Sequence, residues 1–193
     1  MRTYNAIDLA DTIASRAEET LGAVELQKIL YFTQGWSLAI TGTPAHSSET
    51  QAWSRGPVVP DVWRAGDTRG GDSASDDAEL HGLLTLVLAE YGRKSGIELT
   101  RLTHREGPWR DARGDIPETA SSTEVIPLDK IRDHFRQSPT LAGFSQVEIM
   151  YLGLEAFDER SYKPVPKMPS VDDDIDDLDE WMTESANLFE IPR

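Results

Sequence analysis

His104, Arg105 and Glu106 follow one another in the stretch Leu102-Thr103-His104-Arg105-Glu106-Gly107-Pro108-Trp109. A histidine this close to a carboxylate could supply acid–base chemistry or two ligands of a metal ion. With Arg55, which follows Trp53-Ser54, it would give a metal-dependent hydrolase. The rest of the chain argues against that chemistry. The other histidines, His46, His81 and His134, are scattered, and no two histidines stand at i, i+4. There is no G-x-S-x-G, and Gly66 with Gly70-Gly71 lacks the Lys-Ser/Thr of a phosphate loop. Ser54 has no evident base beside it. Cysteine is absent, which excludes disulfides, thiol nucleophiles and cysteine-ligated metals. The run Asp172-Asp173-Asp174-Ile175-Asp176-Asp177 lacks the glycine and closing glutamate of a calcium loop and reads as a solvated charged face. The expectation is therefore no catalytic residue, no metal and no cofactor, with the histidines capping or bridging helices.

The tryptophans say more. Trp36 ends an apolar helical stripe and is expected in the core. Trp53 precedes Ser54-Arg55-Gly56-Pro57, and Trp109 follows Gly107-Pro108, so both are expected to pack over rigid turns. Trp181 differs: it stands beside Met182 in an acidic segment, the composition of a docking helix.

These residues must be positioned by helices. Ile7, Leu9, Ala10, Ile13, Ala14 and Ala17 give a helical period to about Glu19. After Gly22, Leu26, Ile29, Leu30, Thr33, Trp36 and Ile40 form one stripe of a helix closed by Gly42 and Pro44. Ser47–Ser54 suggests one strand of a small hairpin, and Pro60 or Asp61 can open a short helix holding Val62, Trp63 and Arg64. Gly66–Glu79, rich in Gly, Ser and Asp, predicts a mobile loop. Helices follow over Leu80–Tyr91, after Ser95 with Ile97, Leu99 and Leu102, and from Pro127 to about Gln137. The apolar residues around Val147, Ile149, Tyr151 and Leu152 allow either a strand or a short helix. The fold class expected is mainly α, of the α+β kind: a helical domain over 1–137 with a small β-hairpin. An extension and Pro-rich linker over 138–169 and an acidic amphipathic tail over 170–193 complete it.

The chain of 193 residues carries a net charge of −15, which makes direct nucleic-acid binding a poor expectation and suits a basic protein partner. Arg132-Asp133-His134-Phe135-Arg136 is too short and mixed for a DNA-reading helix. Neither a secretory signal nor an apolar run near the ~20 residues of a membrane span is present, so a cytoplasmic protein is expected. Ser170–Arg193 holds nine acidic residues and one basic, −8 of the total. Ile175, Leu178, Met182, Ser185 and Phe189 recur there at helical spacing, with Trp181 and Leu188 alongside. Such a segment can dock on a partner or fold back on its own domain, and the sequence leaves both open.

Three stretches carry a resemblance. Leu26-Gln27-Lys28-Ile29-Leu30-Tyr31-Phe32 with Gly35-Trp36 resembles the opening helix of the Panacea domain, found in phage-associated and SocA-like proteins. Trp53-Ser54-Arg55-Gly56-Pro57-Val58-Val59-Pro60-Asp61-Val62 resembles that family's Gly-Pro turn, and Leu102 to Trp109 its third block. The resemblance covers about Tyr4 to Gln137 and implies a mainly helical domain with a small β element. It also implies the antitoxin half of a toxin–antitoxin pair, neutralising a protein toxin by direct binding. SocA-like members instead deliver a toxin to an ATP-dependent protease. It supplies no catalytic residue. The residues expected to meet the partner are Trp181, Met182, Leu188 and Phe189 on the tail, with Arg55 and Trp63 on the domain.

Overall fold

The computed structural model describes residues 1–66, 77–141 and 143–157. Most of the expected Gly66–Glu79 loop, the Pro-rich linker and the whole acidic tail, with Trp181, Met182, Leu188 and Phe189, lie outside these residues.

Among the described residues the chain is mainly helical with one two-stranded antiparallel hairpin, as its sequence predicts. Helix α1, Ala6–Arg16, starts where the Asn5 side chain accepts the Ile7 N–H at 2.8 Å. It stops three residues short of Glu19, because the backbone at Ala17 is already extended. Helix α2, Ala23–Thr41, ends at Gly42, whose φ of 73° is the left-handed conformation a glycine cap supplies. Strands β1 (Gln51–Trp53) and β2 (Gly56–Val58) pair with Trp53 opposite Gly56 and Gln51 opposite Val58. Pro60 then opens α3, Pro60–Ala65.

Helix α4, Ala78–Tyr91, is capped by Asp77, whose side chain accepts the Leu80 N–H. Helix α5, Gly96–Arg105, begins with a reciprocal Ser95–Glu98 capping box. The chain turns at Glu106, and Pro108 sits in the first turn of α6, Gly107–Arg113. Helix α7 (Leu128–Phe135), a 3₁₀ turn at Pro139–Leu141 and α8 (Gln146–Phe157) follow. The choice left open around Val147–Leu152 resolves as a helix. Ile149 and Leu152, three apart, are buried, and α8 packs against α4.

Helix α2 runs through the centre of the molecule. Every residue from Leu26 to Leu38 is buried, not only the stripe that its period marks. Its neighbours are α1, α3, α4, α5, α7 and β2. The close approach of α7 depends on Gly35: a Cβ there would run into the Phe135 ring. No described helix is long and apolar enough to cross a membrane.

Candidate functional site

A helix buried on all sides has to satisfy whatever polar groups it carries. The ones on α2 are directed at the backbone of 46–59. Gln34 accepts the His46 N–H at 3.0 Å and donates to the His46 carbonyl at 3.1 Å. One turn-pair earlier, Gln27 accepts the Val59 N–H at 2.8 Å and donates to the Val59 carbonyl at 3.5 Å. Between these clamps, Lys28 Nζ donates to the Pro57 carbonyl at 2.9 Å. Burial pushes the Lys28 amine down to about 7. Gly56, at φ 94°, lets the hairpin lie directly on this lysine, because a Cβ would meet Lys28 Cε and Thr103 Oγ1.

The hairpin is held from its other side by α6. Trp109 Nε1 donates to the Trp53 carbonyl at 2.9 Å, and Arg113 donates to the Ala52 carbonyl at 2.8 Å. The same guanidinium reaches the carbonyls of Pro117 and, at 2.8 Å, Ala120. The segment Glu124–Ile126 adds a third ladder: Ala52 N–H donates to the Glu124 carbonyl and Ile126 N–H to the Thr50 carbonyl, both at 2.8 Å. The three motifs of the sequence are thus one physical unit, with a hairpin clasped between two helices. Trp36 and Trp109 are buried in it, as expected of packing residues.

The fold does not bring together the residues of the hydrolase alternative. His104 stacks on Trp109, ring centres 4.0 Å apart and nearly parallel. Burial lowers its pKa, with the Lys28 and Arg113 charges adding to the effect and Glu118 opposing it. Glu106 faces elsewhere: its carboxyl accepts the Tyr31 hydroxyl at 2.8 Å and lies 3.8 Å from His134 Nε2. Arg55 is exposed at the hairpin turn. Among the described residues no three His, Asp or Glu side chains gather as a metal site.

Glu106 does floor a groove of about 480 Å³ walled by Phe32, Tyr91, Leu102 and Phe135, with Lys94 and Arg105 at its edge. Burial drives Glu106 up to about 8, against the opposing Tyr31 hydrogen bond. The same burial raises the Tyr31 phenol and lowers His134. At neutral pH this is a neutral hydrogen-bonded group rather than a poised base.

A second groove of about 480 Å³ lies between the end of α1, the start of α2 and α3. Ala14, Ala17, Leu21, Leu26, Val62 and Trp63 make its apolar lining, and Glu18 and Glu19 its acidic rim. Trp63, 45% exposed, rests edge-on against Trp53 at 5.8 Å between ring centres. Of the residues expected to meet a partner, Trp63 lines this groove and Arg55 lies on the neighbouring hairpin. Sequence reasoning missed Gln27, Lys28, Gln34 and Arg113. A signal existed for the first three: Lys28 is the one charged residue between Leu26 and Thr41.

These elements define a mainly helical domain with a hairpin clasped to its central helix. Residues 26–110 match the family model described as antitoxin SocA-like, Panacea domain. Antitoxin SocA of Caulobacter vibrioides (strain NA1000 / CB15N) is 29% identical over 144 residues, 64% of this chain and 76% of that protein. No solved structure matches.

Proposed function

We propose that this protein is an antitoxin that neutralises a cognate basic protein toxin by binding it directly, without transforming a substrate. The Panacea-domain match over residues 26–110 carries the reading. Two physical features support it. The net charge of −15 attracts and orients a basic partner, and toxins that act on RNA are often basic. The Trp63 groove offers a half-exposed aromatic anchor over small apolar side chains with an acidic rim, the anatomy of an interface hot spot. Arg55 on the hairpin and Trp181, Met182, Leu188 and Phe189 on the tail are the further residues proposed to meet the toxin.

Co-expression with the toxin, together with titration of the purified pair, tests the reading. Trp63→Ala is expected to weaken toxin binding at least tenfold and to lose growth rescue with little change in melting temperature. Unchanged affinity would remove this groove from the interface. Deleting Ser170–Arg193 should weaken rescue, and full rescue would remove the tail. Rescue should persist in cells lacking ATP-dependent proteases. Its loss there, with the toxin accumulating, would make the chain a delivery factor instead.

A further inference from the structure

Helix α8 is apolar on both faces. Ile149 and Leu152 are buried, with α8 packed on α4, while Val147, Met150, Tyr151 and Leu154 remain 56, 40, 49 and 52% exposed. Their spacing, i, i+3, i+4 and i+7, makes a continuous stripe, and Glu148 is the one charged residue from Gln146 to Leu154. A surface of this kind calls for a cover.

The size of the stripe selects the cover. Four side chains at this exposure present on the order of 400 Å², about half of what each partner contributes to a stable interface. A second copy, itself at −15, would also be repelled. A tethered segment needs far less area, because a short linker supplies an effective concentration near millimolar. The chain provides such a segment. After α8 ends at Phe157, residues Asp158–Asp174 lead to a second apolar stripe, Ile175, Leu178, Trp181 and Met182. A linker of that length reaches ~50 Å when extended, and the exposed stripe of α8 is only ~10 Å long. Helix α8 carries two charges, Glu148 within the span of the stripe and Glu155 just beyond it, so the aspartates of the tail have to stay in water while its apolar side docks. We infer that in the free protein the apolar side of the C-terminal tail lies on the outer face of α8.

The inference stands apart from toxin binding, and its test needs no toxin. Because the natural chain has no cysteine, the full-length protein can carry Leu154→Cys with Met182→Cys and nothing else oxidisable to a disulfide. Mild oxidation should close an intramolecular bridge in monomers at least ten times faster than in a control pairing Met182→Cys with exposed Arg101→Cys on α5. Equal rates would overturn the inference, and a bridge formed only between chains would assign the stripe to a second copy. As an independent reading, Leu154→Cys alone should react with a maleimide several-fold faster once Leu178→Ala and Trp181→Ala are added. An unchanged rate, or protection that appears only when toxin is present, would overturn it.

Discussion

Gln27 and Val59 are joined as neighbouring strands would be, with one side-chain amide taking both the N–H and the carbonyl of a single residue. Gln34 repeats the arrangement at His46, one heptad later on the same helix. Helix α2 therefore substitutes for a strand along the buried edge of 46–59. The two amides fix the hairpin in place without adding a sheet.

Replacing Gln27 by Leu keeps the bulk and removes both hydrogen bonds. The Val59 N–H then stays buried and unpaired, a loss of about 2–4 kcal/mol for the two groups. Urea unfolding should show it, and Gln34→Leu should cost a similar amount. A change below about 0.5 kcal/mol at both sites would mean that water takes over the backbone groups.

Lys28 gives stability a definite pH dependence. Its folded value is about 7 against an ordinary 10.5. Between those values the unfolded chain holds a proton that the folded chain has released. Stability therefore rises with pH above 7, by at most about 1.4 kcal/mol per unit. Lys28→Met removes this component. From pH 7 to 9 the urea midpoint of the natural protein should rise relative to that of the variant, in which the Glu106 contribution is the same. Equal slopes would show that the folded lysine keeps its charge.

Glu106 works in the opposite direction. Its folded value of about 8 stands above an ordinary 4.5, so the folded chain binds the extra proton between them and stability falls as pH rises through that window. Glu106→Gln retains an acceptor for the Tyr31 hydroxyl and carries no charge. It should flatten the fall and leave the variant more stable at pH 8, on the order of 2 kcal/mol. A variant less stable than the natural protein at pH 8 would show that the ionised carboxylate is the favoured form.

Much of this architecture was legible in the sequence, and what escaped has a common cause. Periodicity placed α1, α2 and α4 because each buries a stripe, and Gly-Pro pairs placed the turns. Periodicity could not reveal that α2 is enclosed on every side, since that depends on α1, α4, α5 and α7 packing around it. Gln27, Lys28 and Gln34 fall off the stripe, so its period says nothing of their burial, although the near absence of charge from Leu26 to Thr41 hinted at it. Trp63 and Arg55, expected to meet a partner, are both exposed in the fold. His104 and Glu106, neighbours in sequence, separate because the chain turns at Glu106 between α5 and α6. Local adjacency there says nothing about a shared site.

The α4–α8 contact rests on two glycines, and there the usual effect of alanine should reverse. Glycine inside a helix costs about 1 kcal/mol relative to alanine, so Gly→Ala normally stabilises. At Gly153 a Cβ would overlap the Ala78 carbonyl oxygen, and at Gly82 it would overlap the Ile149 carbonyl oxygen. Both obstacles are backbone atoms, which cannot rotate aside as a side-chain tip can. The helices would have to move apart, withdrawing Ile149 and Leu152 from the core, a loss of about 1–3 kcal/mol that outweighs the propensity gain. Because α8 packs chiefly on α4, the damage should stay local. Amide exchange in α8 should speed up in Gly153→Ala while exchange in α2 stays slow. Gly143→Ala is the control, since nothing lies within 4 Å of a Cβ at that position. Slower α8 exchange in Gly153→Ala would show that the two helices have room for a methyl group, and the close packing argued from these glycines would fall.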